Sequence, residues 1–272
     1  MVEHTRAHLR LQPQRPPGTE RSFVGPAGKS VIVFVPAGTR HAGALRLVVH
    51  FLGAAFVPEQ AVARLGGDHI AAVVNIAPGT GAYDRAFAEP AAYDSLLAGI
   101  RREASAALGR PAAFRTVTLV GFSAGHGAIR RILRDSAHFA AVDAVLLLDG
   151  MHTGYIPDRQ VLAEGGQLDT TNLVVWERFA RAAMAGRKRF LVTHSEIFPG
   201  TFASTTETAD WLLARLGLRR TPVLRWGPGG MQQLSEARAG RFRLLGFAGN
   251  SAPDHIDQLQ GEPEFLALLE HM

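Results

Sequence analysis

Thr116-Val117-Thr118-Leu119-Val120-Gly121-Phe122-Ser123-Ala124-Gly125 is the stretch whose reading decides the fold. A β-branched, apolar run reads as a buried strand over 114–120. Gly121 opens a sharp turn, and 126–134 reads as helix. The Gly-x-Ser-x-Gly spacing between strand and helix has a mechanical reason. A serine set on a tight strand-to-helix turn stands with strained backbone angles, and side chains at the two glycine positions would strike the neighbouring strand and helix. Such a turn lifts the Ser123 hydroxyl clear of the sheet and aims a helix N-terminus at it. The Ala124 N–H then points where a negative oxygen would form. The plainer alternative is a turn in which Ser123 only caps the helix.

Outward from this turn the pattern is regular. Lys29–Pro36, Leu45–Phe51, Ile70–Ile76, Val142–Leu148, Arg189–Thr193 and Arg241–Phe247 read as further strands. Helices are expected over 58–66, 90–108, 173–185 and 263–271, and 151–171 reads as loop. Ser204-Thr205-Thr206-Glu207 is a capping box that opens a helix running to about Leu216. Strands alternating with helices imply an α/β fold, a mostly parallel central sheet with helices on both faces and little or no cap domain. The absence of a linker makes 23–272 a single domain. Residues 1–22, polar and holding Pro13, Pro16 and Pro17, read as a mobile or surface-packed arm. They lack the apolar core of an export signal, which points to a cytoplasmic protein.

Composition narrows the function classes. The chain of 272 residues has 47% hydrophobic and 19% charged residues, a globular balance. It has no cysteine, which excludes disulfides, thiolate metal sites and a cysteine nucleophile. No apolar run approaches the roughly 18 residues of a membrane span. The net charge of +5 is carried by scattered arginines with no basic stripe, so no nucleic-acid partner is expected.

A nucleophilic serine needs a base and an acid that orients the base. His255, in Gly249-Asn250-Ser251-Ala252-Pro253-Asp254-His255, is expected in a flexible loop after the last strand. The alternative is a histidine at a helix start beside an N-cap Asp254. Asp149 directly follows the strand Ala144–Leu148, where a carboxylate is costly without a partner. Its rival as the acid is Glu196, and Asp149 is preferred because it is shorter and abuts its strand. Gly53 and Ala54, in His50-Phe51-Leu52-Gly53-Ala54, are candidates for a second oxyanion donor, with Ala54 favoured. His126, His152, Tyr155 and Tyr83 are candidates for lining a substrate pocket. No metal-ligand spacing occurs.

These residues resemble the α/β-hydrolase superfamily, in its serine esterase and lipase-like form, over about 30–272. Gly121-Phe122-Ser123-Ala124-Gly125 is the specific part. Val48-Val49-His50-Phe51-Leu52-Gly53 is similar to the oxyanion-loop motif, with Leu52 where many members have histidine, and Asp254-His255 looks like the histidine loop. The family's usual acid position favours Glu196, although some members use the Asp149 position. The resemblance implies acyl transfer to water through an acyl-enzyme, without metal or organic cofactor. A small-molecule ester is the expected substrate. An amide or peptide hydrolase with the same triad, and a non-catalytic binding member of the fold, are the alternatives.

Overall fold

A computed structural model describes residues 7–39 and 43–272. A ten-stranded sheet runs through the molecule. Its left half is built from β1 (Gly18–Val24), β2 (Ser30–Pro36), β3 (Leu45–Phe51), β4 (His69–Val74) and β5 (Phe114–Phe122). Helices α1 (Phe56–Leu65), α2 (Thr80–Ala86) and α3 (Pro90–Leu108) lie between them in sequence. The boundaries of α3 follow from its ends: proline sits at the first helical position and Gly109 closes it with φ 66°.

Beyond β5 come α4 (His126–Ile132), α5 (Ser136–Ala141) and β6 (Ala144–Leu148). A two-stranded ribbon of β7 (Tyr155–Ile156) and β8 (Gln167–Leu168) follows, then α6 (Val174–Met184), β9 (Arg189–His194) and α7 (Thr205–Leu216). Strands β10 (Thr221–Trp226), β11 (Gln232–Ala239) and β12 (Phe242–Phe247) and helices α8 (Ala252–Gln260) and α9 (Glu262–Glu270) end the chain. The large sheet has the order β1-β2-β4-β3-β5-β6-β9-β12-β11-β10. From β4 to β12 neighbouring strands are parallel; β1, β2, β11 and β10 add antiparallel margins.

Successive strand residues alternate between two cores. Val49, Leu119, Val145, Leu147 and Val192 face a core covered by α2, α3, α4, α6 and α7. Val48, Val120, Leu146, Leu191 and Leu245 face one covered by α1, α8 and α9. The fold is therefore an α/β fold with a mostly parallel central sheet and helices on both faces. The insertion after β6 carries the small ribbon and two single 3-10 turns, Leu162–Glu164 and Thr170–Asn172, so among the described residues it builds no cap domain. Among the described residues no helix is long and apolar enough to cross a membrane.

Three expectations need correction. Strand β1 starts at Gly18, inside the segment read as an arm. The part of that segment within the described residues is held down: Arg10 pairs with Asp257 and donates to the Pro253 carbonyl at 3.0 Å, and the Leu11 N–H donates to Gln260 at 2.7 Å. Residues 1–6 lie outside the described residues. The alternation of strands and helices breaks at β10–β11, a hairpin whose outer strand is mostly exposed and so carries no apolar alternation. His255 stands in the first turn of α8, not in a flexible loop. Ser251 caps that helix, and Asp254 reaches back to the Ser251 N–H at 3.1 Å.

Candidate active site

The parallel register brings the ends of the central strands to one edge. Phe51 lies beside Gly121, Phe122 beside Leu148, and Leu148 beside Thr193. Ser123, Asp149 and Ser195 therefore leave neighbouring strands at the same level. Ser123 has φ 48°, a left-handed conformation that costs a non-glycine residue about 1 kcal/mol or more. Close packing explains the flanking glycines. A Cβ on Gly125 would lie 2.1 Å from the Phe51 carbonyl oxygen, and one on Gly121 would lie 2.9 Å from Ile129 Cδ1. Gly150 is a third such position: its Cβ would stand 2.8 Å from the Ser123 carbonyl oxygen.

Asp149 is 2% exposed and accepts four hydrogen bonds. They come from His255 Nδ1 at 2.7 Å, Ser195 Oγ at 2.6 Å, Ser195 N–H at 3.0 Å and Thr205 Oγ1 at 2.5 Å. Burial by itself would raise its pKa. The hydrogen bonds from His255, Ser195 and Thr205, with the attraction of His255, outweigh burial and hold the carboxyl well below the usual carboxylate range. The His255 ring also packs on Phe122, the residue before Ser123, at 4.6 Å between centroids. With Nδ1–H donated to Asp149, a neutral imidazole presents an acceptor lone pair at Nε2. Glu196 is exposed. Its N–H donates to the Gly249 carbonyl at 2.9 Å, and it makes no ion pair with His255 among the described residues.

The loop after β3 separates the two oxyanion candidates. The Gly53 N–H is already used, donating to Asn75 Oδ1 at 2.9 Å, while Asn75 Nδ2 donates back to the Gly53 carbonyl at 2.9 Å. The Leu52 N–H is held by the Val74 carbonyl at 3.2 Å. Ala54 is exposed, and its N–H has no hydrogen-bond partner among the described residues. Under the loop, His50 is fully buried. Its Nε2 lies 3.0 Å from the Leu52 carbonyl and its Nδ1 2.9 Å from Glu262, which is buried as well. A Cβ on Gly53 would strike the His50 ring at 2.5 Å, so the loop is shaped around that imidazole.

A cavity of about 530 Å³ opens beside Ser123 and Ala124, with Thr80, Arg130, His152 and Phe202 among its walls. Of the four residues suggested as substrate contacts, only His152 lines it. His126 is buried beneath the elbow with Nδ1 2.8 Å from the Ser123 carbonyl, and its ring meets His152 edge-on at 5.5 Å. Burial, reinforced by the neighbouring positive groups, pushes the His126 pKa well down; burial also lowers that of His152. Tyr83 is a core residue: it is fully buried and its hydroxyl accepts the Ile76 N–H at 3.2 Å. Tyr155 is turned away, donating to Glu207 Oε2 at 2.8 Å, and so ties the ribbon to α7.

Sequence reading missed Asn75, Ser195, Thr205, His50 and Glu262, all of which support the site. Their side chains matter through contacts distant in sequence, which local pattern does not carry. Among the described residues the one cluster of metal-ligand types is His8, Asp254 and Asp257, on and against helix α8. There Arg10 and His8 pair with Asp257, and Ser251 hydrogen-bonds Asp254.

A search of family models finds no match, and a search of curated proteins finds no relative in sequence. Solved structures do match. A thermostable esterase superposes with TM-score 0.51 at 14% identity over 93% of this chain, which spans only 62% of that esterase. Thermogutta terrifontis esterase 2 phosphonylated by cyclosarin matches with TM-score 0.51 at 18% identity, covering 96% of this chain and 97% of that one. The same esterase phosphorylated by paraoxon gives TM-score 0.50 at 17% identity over 95% and 97%. At such identities the likeness establishes the architecture: the chain has the α/β-hydrolase fold.

Proposed function

We propose that the protein is a serine hydrolase that cleaves carboxylic esters of small molecules. The observation that carries this reading is the buried Asp149 bonded at 2.7 Å to His255, whose ring lies on the residue preceding a strained, cavity-facing Ser123. Ser123 Oγ attacks the ester carbonyl carbon while His255 Nε2 takes the hydroxyl proton. The carbonyl electron pair moves onto oxygen, where the N–H groups of Ala124 and Ala54 stabilise it. Removing one such donor typically costs about 10²–10³ in kcat. The bond to the alkoxy oxygen breaks, and His255 returns the proton to the departing alcohol. Water then attacks the acyl-enzyme by the same route, releasing the acid and the free serine. Asp149 keeps the proton of His255 on Nδ1 and stabilises the imidazolium as it forms.

The organophosphate adducts of the esterase neighbour support the reading, because phosphorylating agents of this kind capture a reactive nucleophile. The test is hydrolysis of 4-nitrophenyl butyrate, and of the matching anilide, by wild type and Ser123→Ala. Ester turnover that disappears in the variant is expected. Undiminished turnover in Ser123→Ala, or cleavage of the anilide as fast as the ester, would reject an esterase built on this serine.

A further inference from the structure

We propose that Arg130 selects the substrate: the preferred esters carry a carboxylate a few carbons from the scissile carbonyl, and the Arg130 guanidinium receives it. The inference rests on the ester-hydrolase reading and adds the substrate class.

Arg130 is 5% exposed, yet it lines the cavity that Ser123 opens into. A buried guanidinium is expensive unless its donors are met. Its one partner among the described residues is Asp84, which it meets through a single terminal nitrogen, while Nε has none. Asp84 is itself shared with Arg131, whose Nε lies 3.4 Å away. One carboxylate therefore serves two guanidiniums. Arg134 nearby donates to Asn172 Oδ1 at 3.4 Å, and Asp169 is engaged by Thr171 and Asn172. Of these charged groups only Arg130 and Asp84 line the cavity, and Asp84 is divided between Arg130 and Arg131. Favourable interaction with the C-terminal end of α4 is a sufficient reason for Arg131, which is more exposed. It does not explain why Arg130 turns inward to a cavity wall with donors unmet.

The cavity fits the chemistry. Arg130 lies in α4, the helix that follows the Ser123 turn, and both residues line the same cavity of about 530 Å³. Short dicarboxylates fit a cavity of that size, so half-esters of glutarate and adipate are suitable probes. A planar carboxylate suits the two-pronged donor set of a guanidinium. His152, the one histidine in the cavity lining, is held toward its neutral form by burial, which leaves Arg130 as the lining cation.

The experiment compares kcat/KM for 4-nitrophenyl hydrogen glutarate with that for its methyl-capped neutral analogue, alongside a second pair with the carboxylate on the alcohol side. Wild type is expected to favour the charged ester of at least one pair by about tenfold or more. Arg130→Gln should bring that ratio close to one, and Arg130→Lys should keep part of it. Asp84→Asn, which removes the competing carboxylate, should raise it. These opposite signs separate selection from a loss of folding. A wild-type ratio near one in both pairs, or a ratio lowered by Asp84→Asn, overturns the proposal while leaving the esterase reading intact. If no ester is turned over, the esterase reading fails instead. Calorimetric titration of wild type and Arg130→Gln with glutarate then tests the anion site by itself: binding lost in the variant upholds it, and equal binding overturns it.

Discussion

Replacing Asp149 by asparagine exchanges one carboxylate oxygen for an NH2 group and tests the site's central contact. The carboxylate accepts from His255, Thr205 and twice from Ser195. The amide keeps one acceptor oxygen and places an NH2 group where another acceptor stood. If that NH2 faces His255, Nδ1 must become the acceptor and the proton moves to Nε2, where the ring cannot take a proton from Ser123. In a serine protease the same change lowers kcat about 10⁴-fold, which is about 5.5 kcal/mol of transition-state stabilisation. A loss of that order is expected here. Stability should also fall by about 2–3 kcal/mol, because hydrogen bonds to a charged acceptor are weakened or lost. The assay is steady-state hydrolysis of a nitrophenyl ester, with urea unfolding of both proteins to show that the variant is folded at the assay temperature. Glu196→Gln serves as the control and should stay within twofold of wild type. A folded Asp149→Asn protein within tenfold of wild-type kcat would refute the reasoning, as would a Glu196→Gln protein that loses activity to the same extent.

Ala54→Pro removes the N–H proposed for the oxyanion and should lower kcat about 10²-fold with little change in KM; Gly53→Ala instead should act through the His50 clash at 2.5 Å and reduce thermal stability. Gly125→Ala forces a Cβ to within 2.1 Å of the Phe51 carbonyl, so a loss of about 3 kcal/mol or more in urea unfolding is expected. Glu270 pairs with Arg46 at 2.8 Å and Arg189 at 3.0 Å, and although burial raises its pKa, His69 and Arg189 bring it down to about 2. Because the folded value lies below the unfolded one of about 4.3, its contribution is complete above that pH and is lost as pH falls through about 2. Glu270→Gln should therefore be less stable than wild type at pH 7, by about 2–3 kcal/mol, with the difference shrinking between pH 4 and pH 2 in denaturant titrations.

What could be read in the sequence was what local pattern encodes. The elbow needed only an apolar run, two glycines and a serine, and α3 and α7 carried their own start and stop signals in Pro90, Gly109 and the Ser204 capping box. Asp149 could be singled out because a carboxylate ending an apolar strand demands a partner. The hairpin β10–β11 was missed because its exposed outer strand has no buried face to impose alternation. The helical setting of His255 stood only as the alternative to a loop because Ser251 and Asp254 form a capping box with aspartate in place of glutamate, a weaker signal. The sequence favoured the N–H of Ala54 but kept that of Gly53 as a candidate; only Asn75, which approaches from the end of β4, separates the two. Arg130 was one among scattered arginines, and only its burial beside Ser123 separates it from Arg131.

The most direct measurement is peptide mass spectrometry after reaction with a fluorophosphonate. The account predicts one adduct per chain, on the peptide containing Ser123, forming much more slowly in Asp149→Asn. Label on any other residue, or none while the enzyme still hydrolyses esters, would contradict it.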